Sequence, residues 1–283
     1  MNPEVLIIGC GFLGEAAADL FSAQGRCVLG LVRTSESVHN LTARGLAATL
    51  CDVTDDACVD SLRPLVLRVP LAIYAVSSGG GSAAEYAAIY RDGLRRVLKH
   101  WNPQKLIFIS STSVYGQDDD SWVTETSPAI PERPTARVLL EAEEFALAGG
   151  GTVARLTGIY GPGRSMLLRK FLSGEAILED GGGRYLNQIH RDDGAAALAY
   201  LGEPSCPSGI YNVTDDTPAT QRELYTWISD FLKRPMPPEG GVDPYRKRAV
   251  SSKRVSNTKM RSLGWQPRFP AYKDALPRLV NGL

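Results

Sequence analysis

The sequence has little of several features that mark particular classes of protein. Its 31 basic residues equal its 31 acidic residues, so the chain has no overall field that would attract nucleic acid or an anionic membrane. No apolar run is long enough to span a bilayer. The first residues show neither the basic region nor the small-residue cleavage site of a signal peptide. We therefore expect a cytoplasmic protein with neither a membrane nor a nucleic-acid partner.

Cysteine and histidine are also scarce. The five cysteines are spread along the chain without a C-x-x-C pair, and there are only three histidines. Because no grouping of His, Cys, Asp or Glu has the spacing of metal ligands, we expect no metal site. An odd number of separated cysteines favours reduced, mostly buried thiols. The cysteines are Cys10, Cys27, Cys51, Cys58 and Cys206.

Short apolar runs alternate with helical patterns through the first two-thirds of the chain. Such an order predicts an α/β fold, a doubly wound parallel sheet covered by helices on both faces. The looser pattern that follows indicates a small C-terminal lobe. We predict a large domain at 1–163, to which 188–213 return, and the small lobe at 164–187 and 214–283. The predicted strands are 4–9, 26–32, 45–51, 71–76, 105–110 and 151–158, and two late helices are predicted at 221–234 and 257–265.

The segment GCGFLG, at the end of the first predicted strand, has the spacing G-x-G-x-x-G and opens a helix. Gly9 would permit a tight turn, Gly11 would let the backbone approach a pyrophosphate, and Gly14 would let helix and strand pack closely. The first backbone amides of that helix, which include those of Phe12 and Leu13, are suited to bind phosphate oxygens. The pattern predicts a dinucleotide site; the alternative is a glycine-rich turn with no ligand.

The end of the second strand bears on which dinucleotide is bound. Val32 stands where an NAD-specific protein usually has an acidic residue for the ribose 2′-hydroxyl. The guanidinium of Arg33 and the hydroxyl of Thr34 suit a 2′-phosphate instead, so we favour NADP, with NAD less favoured. The alternative is that Arg33 is an exposed loop charge. After the third strand, Asp52 is placed to bind the adenine, with Val53 packing beside it.

Six segments follow one another in an order typical of one family: GCGFLG, CDVTD, ISSTSVYG, RLTGIYGPGR, IHRDDGAAA and YNVTDD. With the closing SSKRVSNTKMRSLGWQPRFP, they make the chain resemble the extended short-chain dehydrogenase/reductases, which include the NAD-dependent sugar epimerase/dehydratases. This resemblance implies a Rossmann domain that binds NAD(P), with Ala75 and Ser110 among its cofactor-binding residues. It also implies a small lobe that closes over a substrate, often a nucleotide sugar.

The resemblance breaks down at the catalytic set, which in the family is a serine, a tyrosine, a lysine and an asparagine. Ser111 matches the serine. Thr135 and Leu139 stand at the tyrosine and lysine positions, and Tyr90 stands at the asparagine position. A threonine hydroxyl is too weak an acid to replace a phenol, and leucine cannot hold a ribose. The chain therefore resembles the atypical members, which keep the cofactor site without the usual catalytic pair.

The helix that should carry the missing pair is predicted to begin near residue 132. Its apolar positions are expected to face the core and its glutamates to form a solvated face. Arg137 could hold a ribose or a phosphate, or it is an exposed helix arginine. The apolar positions are Val138, Ala142 and Phe145, and the glutamates are Glu141, Glu143 and Glu144.

Two other residues are candidates for moving a proton. Tyr115 is a phenol just beyond a strand end, although a tyrosine there could simply pack the loop. His190 could act as a general acid near neutral pH; a structural histidine is the alternative. Tyr160 is expected to contact the substrate, and Arg164 and Arg191 are expected to clamp an anionic group on it.

Residues 245–261 hold seven Lys or Arg and no acid. They are either a pyrophosphate clamp for a nucleotide-linked substrate or a solvated face of the small lobe. Nucleic-acid binding ranks last, because no fold module presents the segment. Asp192 or Asp193 is expected to cap the helix that follows them.

The sequence thus supports two hypotheses from different classes. In the first, the protein is an NADP-binding oxidoreductase of the atypical short-chain dehydrogenase type, acting on a nucleotide sugar or a small carbonyl compound. Ser111 would orient the reacting oxygen, and Tyr115 or His190 would move the proton. In the second, the protein is a non-catalytic NADP(H)-binding sensor. The missing catalytic pair favours the second hypothesis, and the retained serine favours the first. Whether the chain forms a homodimer is left open.

Overall fold

A computed structural model of the chain describes residues 2–241 and 251–281. Its contacts divide the chain into two compact units. The first unit comprises Met1–Val114, Ile130–Arg155 and Gly194–Tyr211, and the second comprises Tyr115–Ala129, Leu156–Asp193 and Asn212–Leu283. The predicted functional domains, with their own boundaries, stay a prediction.

The secondary structure alternates as the sequence pattern indicates. In the described residues the strands are β1 (Val5–Ile8), β2 (Val28–Val32), β3 (Ala47–Leu50), β4 (Leu71–Tyr74), β5 (Lys105–Ser111), β6 (Trp122–Val123), β7 (Thr152–Leu156), β8 (Gly158–Tyr160), β9 (Leu178–Glu179), β10 (Tyr185–Leu186), β11 (Gln188–His190), β12 (Ile210–Val213), β13 (Ala219–Thr220), β14 (Glu239–Gly240) and β15 (Arg254–Val255).

The helices in the same residues are α1 (Phe12–Ala23), α2 (Ser35–Ala43), α3 (Asp56–Ser61), α4 (Arg63–Val66), α5 (Ala83–Tyr86), α6 (Gly93–His100), α7 (Pro134–Ala148), α8 (Met166–Ser173), α9 (Arg191–Gly202), α10 (Gln221–Leu232), α11 (Thr258–Ser262) and α12 (Tyr272–Asn281). A π-helical turn, Ala87–Asp92, joins α5 to α6, and short 3₁₀ turns occupy Thr112–Val114 and Asp180–Gly182.

A seven-stranded sheet with the order β12-β7-β5-β4-β1-β2-β3 forms the centre of the first unit. The pairings of β1 with β2 and β4, of β2 with β3, and of β4 with β5 are parallel. All six predicted strands belong to this sheet, so the predicted doubly wound α/β fold is confirmed. The strand order reverses direction between β1 and β4, and ligands of such folds bind beyond the carboxyl ends of the strands at that point.

Polar caps fix where several helices begin. The Thr34 hydroxyl accepts the backbone N–H of Ser37 at the start of α2. Ser82 and Glu85 form a reciprocal capping box at the start of α5, and α10 begins with a similar box. These bonds satisfy amides that have no partner within their own helix.

Helix α7 begins at Pro134, close to its predicted start, and buries Val138 and Ala142 as expected. The prediction that Glu143 lies on a solvated face is wrong, because this side chain is only 2 % exposed. Its carboxylate accepts hydrogen bonds from Nη2 of Arg155 at 2.6 Å and from the hydroxyl of Ser110 at 2.5 Å. A buried carboxylate needs such partners, since desolvation of an isolated charge costs several kcal/mol. The network therefore ties α7 to β5 and β7.

The second unit has an apolar core of its own, which gathers around α8, α10 and α12. Small pairs of strands surround this core: β6 with β15, β8 with β11, β9 with β14, and β10 with β13. The buried members of the core are Tyr160, Leu168, Phe171, Ala176, Leu178, Ala219, Leu224, Tyr225, Ile228, Phe269, Tyr272, Ala275, Leu276 and Leu279.

Asp193 has a different role from the predicted cap. Helix α9 already begins at Arg191, so both aspartates lie within its first turn. The carboxylate of Asp193 accepts the backbone N–H groups of Arg268 and Phe269 at 2.7 and 3.0 Å. It thereby anchors the chain ahead of α12, a partnership across the sequence that a local pattern does not show. Elsewhere, all five cysteines are free thiols, and no described helix has the length and apolar character needed to cross a membrane.

The buried Glu143 network gives the first prediction. Replacing Glu143 with alanine removes the carboxylate from the buried Arg155 guanidinium, and we expect a loss of about 3–5 kcal/mol in the free energy of unfolding. Glu144→Ala, at the exposed position next to it on the same helix, should change this value by less than about 0.5 kcal/mol. Urea denaturation followed by circular dichroism measures both values. Equal stability of the two variants would contradict the prediction.

Candidate functional site

The loop after β1 shows three different uses of glycine. Gly9 has a φ of 87°, and a Cβ built on it would lie 2.5 Å from Cα of Val76. A Cβ at Gly14 would lie 2.9 Å from the carbonyl oxygen of Gly9, so helix α1 packs closely on the strand. At Gly11 a Cβ would meet no atom within 4 Å. These are the turn, the close packing and the open approach that the sequence pattern predicts.

The open side of Gly11 lies at the start of α1, where this residue is the N-cap and has no side chain to bond the first helical amides. Helix amides and the helix dipole at such an end favour a phosphate group. The loop follows β1, beside β4 in the sheet, so it lies at the reversal of strand order. The residues present therefore fit a ligand that carries a phosphate group, as a dinucleotide does.

Cys10 lies inside this loop but is not a candidate nucleophile. Its side chain is buried, and burial, assisted by the nearby charge of Glu15, raises the pKa of the thiol to about 12. A thiol of this kind stays protonated near pH 7 and is unreactive.

The residues predicted to recognise the adenosine end lie along the ends of β2 and β3. Arg33 is exposed, whereas Thr34 uses its hydroxyl in the cap of α2 and donates to Oγ of Ser37 at 2.8 Å. The carboxylate of Asp52 accepts bonds from the backbone N–H and the hydroxyl of Thr54 at 2.9 and 2.7 Å. These bonds orient Asp52 without neutralising it.

Val53 and Ala75 occupy less exposed positions on the same side of the sheet. Val53 is buried, and its carbonyl oxygen accepts a long bond from Arg96 at 3.4 Å. Ala75, directly after β4, donates its backbone N–H to the carbonyl of Ile8 at 2.7 Å. Both residues thus border the region where the strands end.

The two serines at the end of β5 differ in availability. Ser110 is buried and gives its hydroxyl proton to Glu143, so its side chain belongs to the network that holds α7. Ser111 is half-buried, and its Oγ accepts the backbone N–H of Ser113 at 3.1 Å. Ser111 is thus an acceptor in this turn, and its role in orienting a reacting oxygen stays a prediction.

Helix α7 carries no phenol and no ammonium at the predicted catalytic positions. Leu139 is 5 % exposed and belongs to the buried face, and Thr135 is half-buried one turn earlier. Arg137 is exposed, and its Nε donates to the carbonyl of Pro131 at 3.2 Å. The helix is packed against the core, and positions 135 and 139 carry neither a tyrosine nor a lysine.

Tyr90 lies in the π-helical turn between α5 and α6, which packs against α7. Its hydroxyl accepts the backbone N–H of Ser78 at 3.3 Å. The ring packs against that of Tyr86, with centroids 5.0 Å apart. The sequence pattern identified Tyr90 only as a departure from the expected asparagine, and the contact with Ser78 could not be read from local spacing.

In the second unit, Tyr115 is 1 % exposed and donates its hydroxyl proton to Oδ1 of Asn212 at 2.8 Å. The side-chain amide of Asn212 then donates to the carbonyl of Ser256 at 3.2 Å. The Tyr115 carbonyl in turn accepts a hydrogen bond from Nζ of Lys253 at 2.8 Å. This arrangement supports the packing interpretation of Tyr115; its catalytic role stays a prediction.

Lys253 belongs to the basic segment 245–261, yet it is only 5 % exposed, so the solvated-face interpretation is wrong for this residue. Its ammonium also donates to the hydroxyl of Ser251 at 3.2 Å. Burial lowers the pKa of Lys253 to about 8. Local spacing does not reveal this role, because Lys253 stands among other Lys and Arg residues in the sequence. The predictions for Arg246, Lys247 and Arg248 lie outside the described residues.

His190 and Tyr160 are register partners in the pair of strands β11 and β8. Both are buried, and their rings meet edge to face with centroids 5.4 Å apart. Nδ1 of His190 accepts the backbone N–H of Asp192 at 3.2 Å, which leaves the proton of a neutral ring on Nε2. Among the described residues, neither this Nε2 nor the Tyr160 hydroxyl has a hydrogen-bond partner.

Burial lowers the pKa of His190 well below its usual value, although the charge of Asp192 acts in the opposite direction. Burial raises the pKa of the Tyr160 phenol, and the nearby charge of Asp215 adds to this effect. Near pH 7, His190 therefore offers an N–H hydrogen bond from a neutral ring, and Tyr160 offers an un-ionised hydroxyl.

The two arginines predicted to bind an anionic group follow different strands: Arg164 comes after β8, and Arg191 comes directly after β11. Arg164 is exposed, and its backbone pairs with that of Gly161. Nε of Arg191 donates to the carboxylate of Asp192 at 3.2 Å. In the part of the chain that the structure describes, no group of three or more His, Cys, Asp or Glu is arranged to hold a metal ion.

Residues 5–214 match the model of the NAD dependent epimerase/dehydratase family. The chain belongs to this family. A structure from Methylobacillus flagellatus, provisionally described as an NAD-dependent epimerase/dehydratase, is 32 % identical, with a TM-score of 0.80 over 99 % of this chain and 98 % of that one. Protein YeeZ of Escherichia coli K12 is 29 % identical over 280 residues, 94 % of this chain and 96 % of YeeZ.

A more distant member of the epimerase/dehydratase type shares the fold. The UDP-glucose 4-epimerase of Thermus thermophilus, solved in complex with NAD, is 19 % identical, with a TM-score of 0.79 over 98 % of each chain. The predicted relationship to the extended short-chain dehydrogenase/reductases is confirmed. That Thr135 and Leu139 stand at the positions of the family's catalytic pair stays a prediction.

The glycine loop gives the second prediction. Gly9→Ala forces a Cβ into the backbone at Val76 and places alanine at a positive φ, so we expect a loss of more than about 2 kcal/mol in the free energy of unfolding. Gly11→Ala, whose Cβ points into open space, should lose less than about 1 kcal/mol. Thermal and urea unfolding of both variants tests the difference, and a stable Gly9→Ala variant would contradict the close packing of this loop.

Proposed function

We propose that this member of the family is a nicotinamide-dependent oxidoreductase that acts on a nucleotide-linked sugar or a small carbonyl compound. The observation that carries the proposal is the glycine loop, with its close packing at Gly9 and Gly14 and its open side at Gly11. A loop shaped this way gains nothing in stability from the bare backbone at Gly11. Access for a phosphate group explains the use of glycine at position 11.

The dinucleotide would be held by residues of the first unit. Gly11 and the start of α1 would receive the pyrophosphate, and Asp52 and Val53 would border the adenine. Ala75 would lie along the ligand beyond the end of β4. When bound, the dinucleotide supplies or accepts a hydride at its nicotinamide ring. The remaining predicted contacts are Gly9, Phe12, Leu13, Gly14, Arg33, Thr34 and Ser110.

NADP is the form we propose, because the end of β2 has no carboxylate for a ribose 2′-hydroxyl and has an exposed arginine there. Arg33 supplies a guanidinium that matches a phosphate. The hydroxyl of Thr34 is already used in capping α2, so the preference rests mainly on Arg33.

The substrate proposal rests on likeness to enzymes of nucleotide sugars and on the polar groups of the second unit. The Thermus thermophilus relative is named for UDP-glucose. Arg164 and Arg191 would bind an anionic group, while the Tyr160 hydroxyl and Nε2 of His190 would donate hydrogen bonds to a polar ligand. Because His190 is neutral near pH 7, it suits binding better than proton donation. Tyr115 is already hydrogen-bonded through its own proton.

A second function, that of a non-catalytic NADP(H) sensor, is favoured by one observation. Leu139, which the resemblance puts at the position of the ribose-binding lysine, is buried in the packed face of α7. A sensor should bind oxidised and reduced dinucleotide with different affinities, because only a differential affinity shifts an equilibrium between two states. Equal affinities would remove its basis.

Cofactor preference gives the third prediction. Isothermal titration should show tighter binding of NADP than of NAD, and Arg33→Ala should weaken NADP binding about tenfold or more while leaving NAD unchanged. Arg68→Ala, an exposed arginine just ahead of β4, should alter neither affinity. A clear preference for NAD would contradict the assignment. Gly11→Ala should weaken both dinucleotides, because its methyl group occupies the approach to the pyrophosphate.

The reaction itself gives the fourth prediction. Oxidation of NADPH, followed at 340 nm with a panel of nucleotide sugars and small ketones, should identify at least one substrate. Ser111→Ala should slow that reaction about a hundredfold, because it removes a hydrogen bond to the reacting oxygen. Ser113→Ala, an exposed serine nearby, should stay within about threefold of the parent. Silence across the whole panel, or equal rates in both variants, would count against an enzyme.

A further inference from the structure

The helical segment that packs against α7 carries a phenol in an unusual local structure. Tyr90 lies within the π-helical turn Ala87–Asp92, which is enclosed by the regular helices α5 and α6. Single π-helical turns inside α-helices occur frequently at functional sites. The turn contacts α7, the helix on which the resemblance puts the family's catalytic pair. A phenol is therefore present one helix away from the position where the family normally has one.

The hydroxyl of Tyr90 lies near the carboxyl end of β4, beside the strand that leads into the glycine loop. It accepts the backbone N–H of Ser78 at 3.3 Å, and Ser78 follows β4 after a short stretch from Tyr74. The ring is 9 % exposed. The Tyr90 hydroxyl is the acceptor in this bond, and the structure shows no acceptor for its proton among the described residues. The protein thus fixes the oxygen and leaves the proton for a ligand.

Ser111 lies at the same edge. Strands β4 and β5 are parallel neighbours, with Tyr74 paired with Phe108. Ser111 is the last residue of β5, and Ser78 follows the end of β4 by four residues. Ser111 and the segment that holds Tyr90 therefore both lie at the carboxyl ends of adjacent strands of the first unit. Val76, which Gly9 approaches closely, belongs to the same stretch of chain.

Two other phenols of the chain donate their protons to protein acceptors. Tyr74 donates its hydroxyl to the carbonyl of Ile89 at 2.6 Å, and burial raises the pKa of this phenol well above its usual value. Tyr115 donates to Asn212 in the second unit. Tyr90 differs from both, because its hydroxyl accepts from the protein.

We propose that Tyr90 is the catalytic proton donor of this protein and acts with Ser111 on the oxygen of the substrate, in place of the tyrosine missing from α7. The inference rests on the proposed function. In carbonyl reduction, the carbon of the C=O group gains the hydride of a reduced nicotinamide dinucleotide, and the electron pair of the broken π bond moves to the oxygen. That oxygen takes the proton of Tyr90, and the resulting phenolate is reprotonated from water. Oxidation of the alcohol reverses each step.

The first test observes Tyr90 without turnover. The full chain, labelled with ¹³C at Cζ of its 11 tyrosines, is observed in the absence and presence of saturating NADP⁺, and Tyr90→Phe identifies the Tyr90 resonance. A nicotinamide ring close to the phenol changes the surroundings of Cζ, so we expect the Tyr90 resonance to shift when NADP⁺ binds. An unchanged resonance, with NADP⁺ shown to bind by calorimetry, overturns the inference alone. If calorimetry shows no dinucleotide binding, the proposed function and the inference are both overturned.

The second test measures the chemical step with the substrate found in the NADPH panel, or with UDP-glucose and NADP⁺ in the oxidative direction. Tyr90→Phe should slow the single-turnover absorbance change at 340 nm by about a hundredfold or more, with the dinucleotide dissociation constant unchanged within about threefold. Tyr86→Phe, which removes a hydroxyl from the ring that packs against Tyr90, is the matched control and should keep the parental rate. A Tyr90→Phe variant as fast as the parent overturns the inference. Silence across the whole panel counts against the proposed function and the inference together.

Discussion

The close approach of two backbones, at Gly9 and Val76, is the constraint on which the arrangement of the first unit depends. Strands β1 and β4 are neighbours in the sheet, and the chain leaves them in opposite directions along it. With a Cβ at residue 9 only 2.5 Å from Cα of Val76, the strand ends could not come together in this way. Glycine at a positive φ therefore permits the gap over which a dinucleotide lies in such folds, and the open side of Gly11 follows from the same turn.

Helix α7 shows that packing and chemistry are separable in this family member. What holds the helix is the buried carboxylate of Glu143, bonded to Arg155 on β7 and to Ser110 on β5. Neither Thr135 nor Leu139 takes part in this network. Leu139 adds apolar surface to a face of α7 that is already buried, which favours stability. The packing of the helix therefore needs neither a tyrosine at position 135 nor a lysine at position 139.

Regular patterns in the sequence predicted the sheet well, because continuous apolar strands and the G-x-G-x-x-G spacing are local signals that the parallel fold requires. The roles of charged and polar side chains were harder to predict. Glu143 and Lys253 resemble exposed neighbours of the same type, and only partners distant in sequence, Arg155 and the carbonyl of Tyr115, keep them buried. Asp193 anchors residues 268 and 269 for the same reason. The Ser78 contact of Tyr90 likewise depends on a π-helical turn, for which the sequence carries no clear periodic signal.

Unpaired polar atoms in the second unit indicate that its interior is not organised for stability alone. Among the described residues, the Tyr160 hydroxyl, Nε2 of His190 and Oδ2 of Asp215 are buried without a hydrogen-bond partner from the protein. Each such group costs about 1–3 kcal/mol when nothing replaces its bond to water. Apolar residues of similar size would avoid that cost, so a polar partner from outside the chain, ordered water or a ligand rich in hydroxyl groups, accounts for their retention. A sugar-like substrate has the donors and acceptors to satisfy such atoms, whereas an apolar ketone would leave them unpaired. These atoms support our proposal of a nucleotide-linked sugar as the substrate, in preference to a simple carbonyl compound.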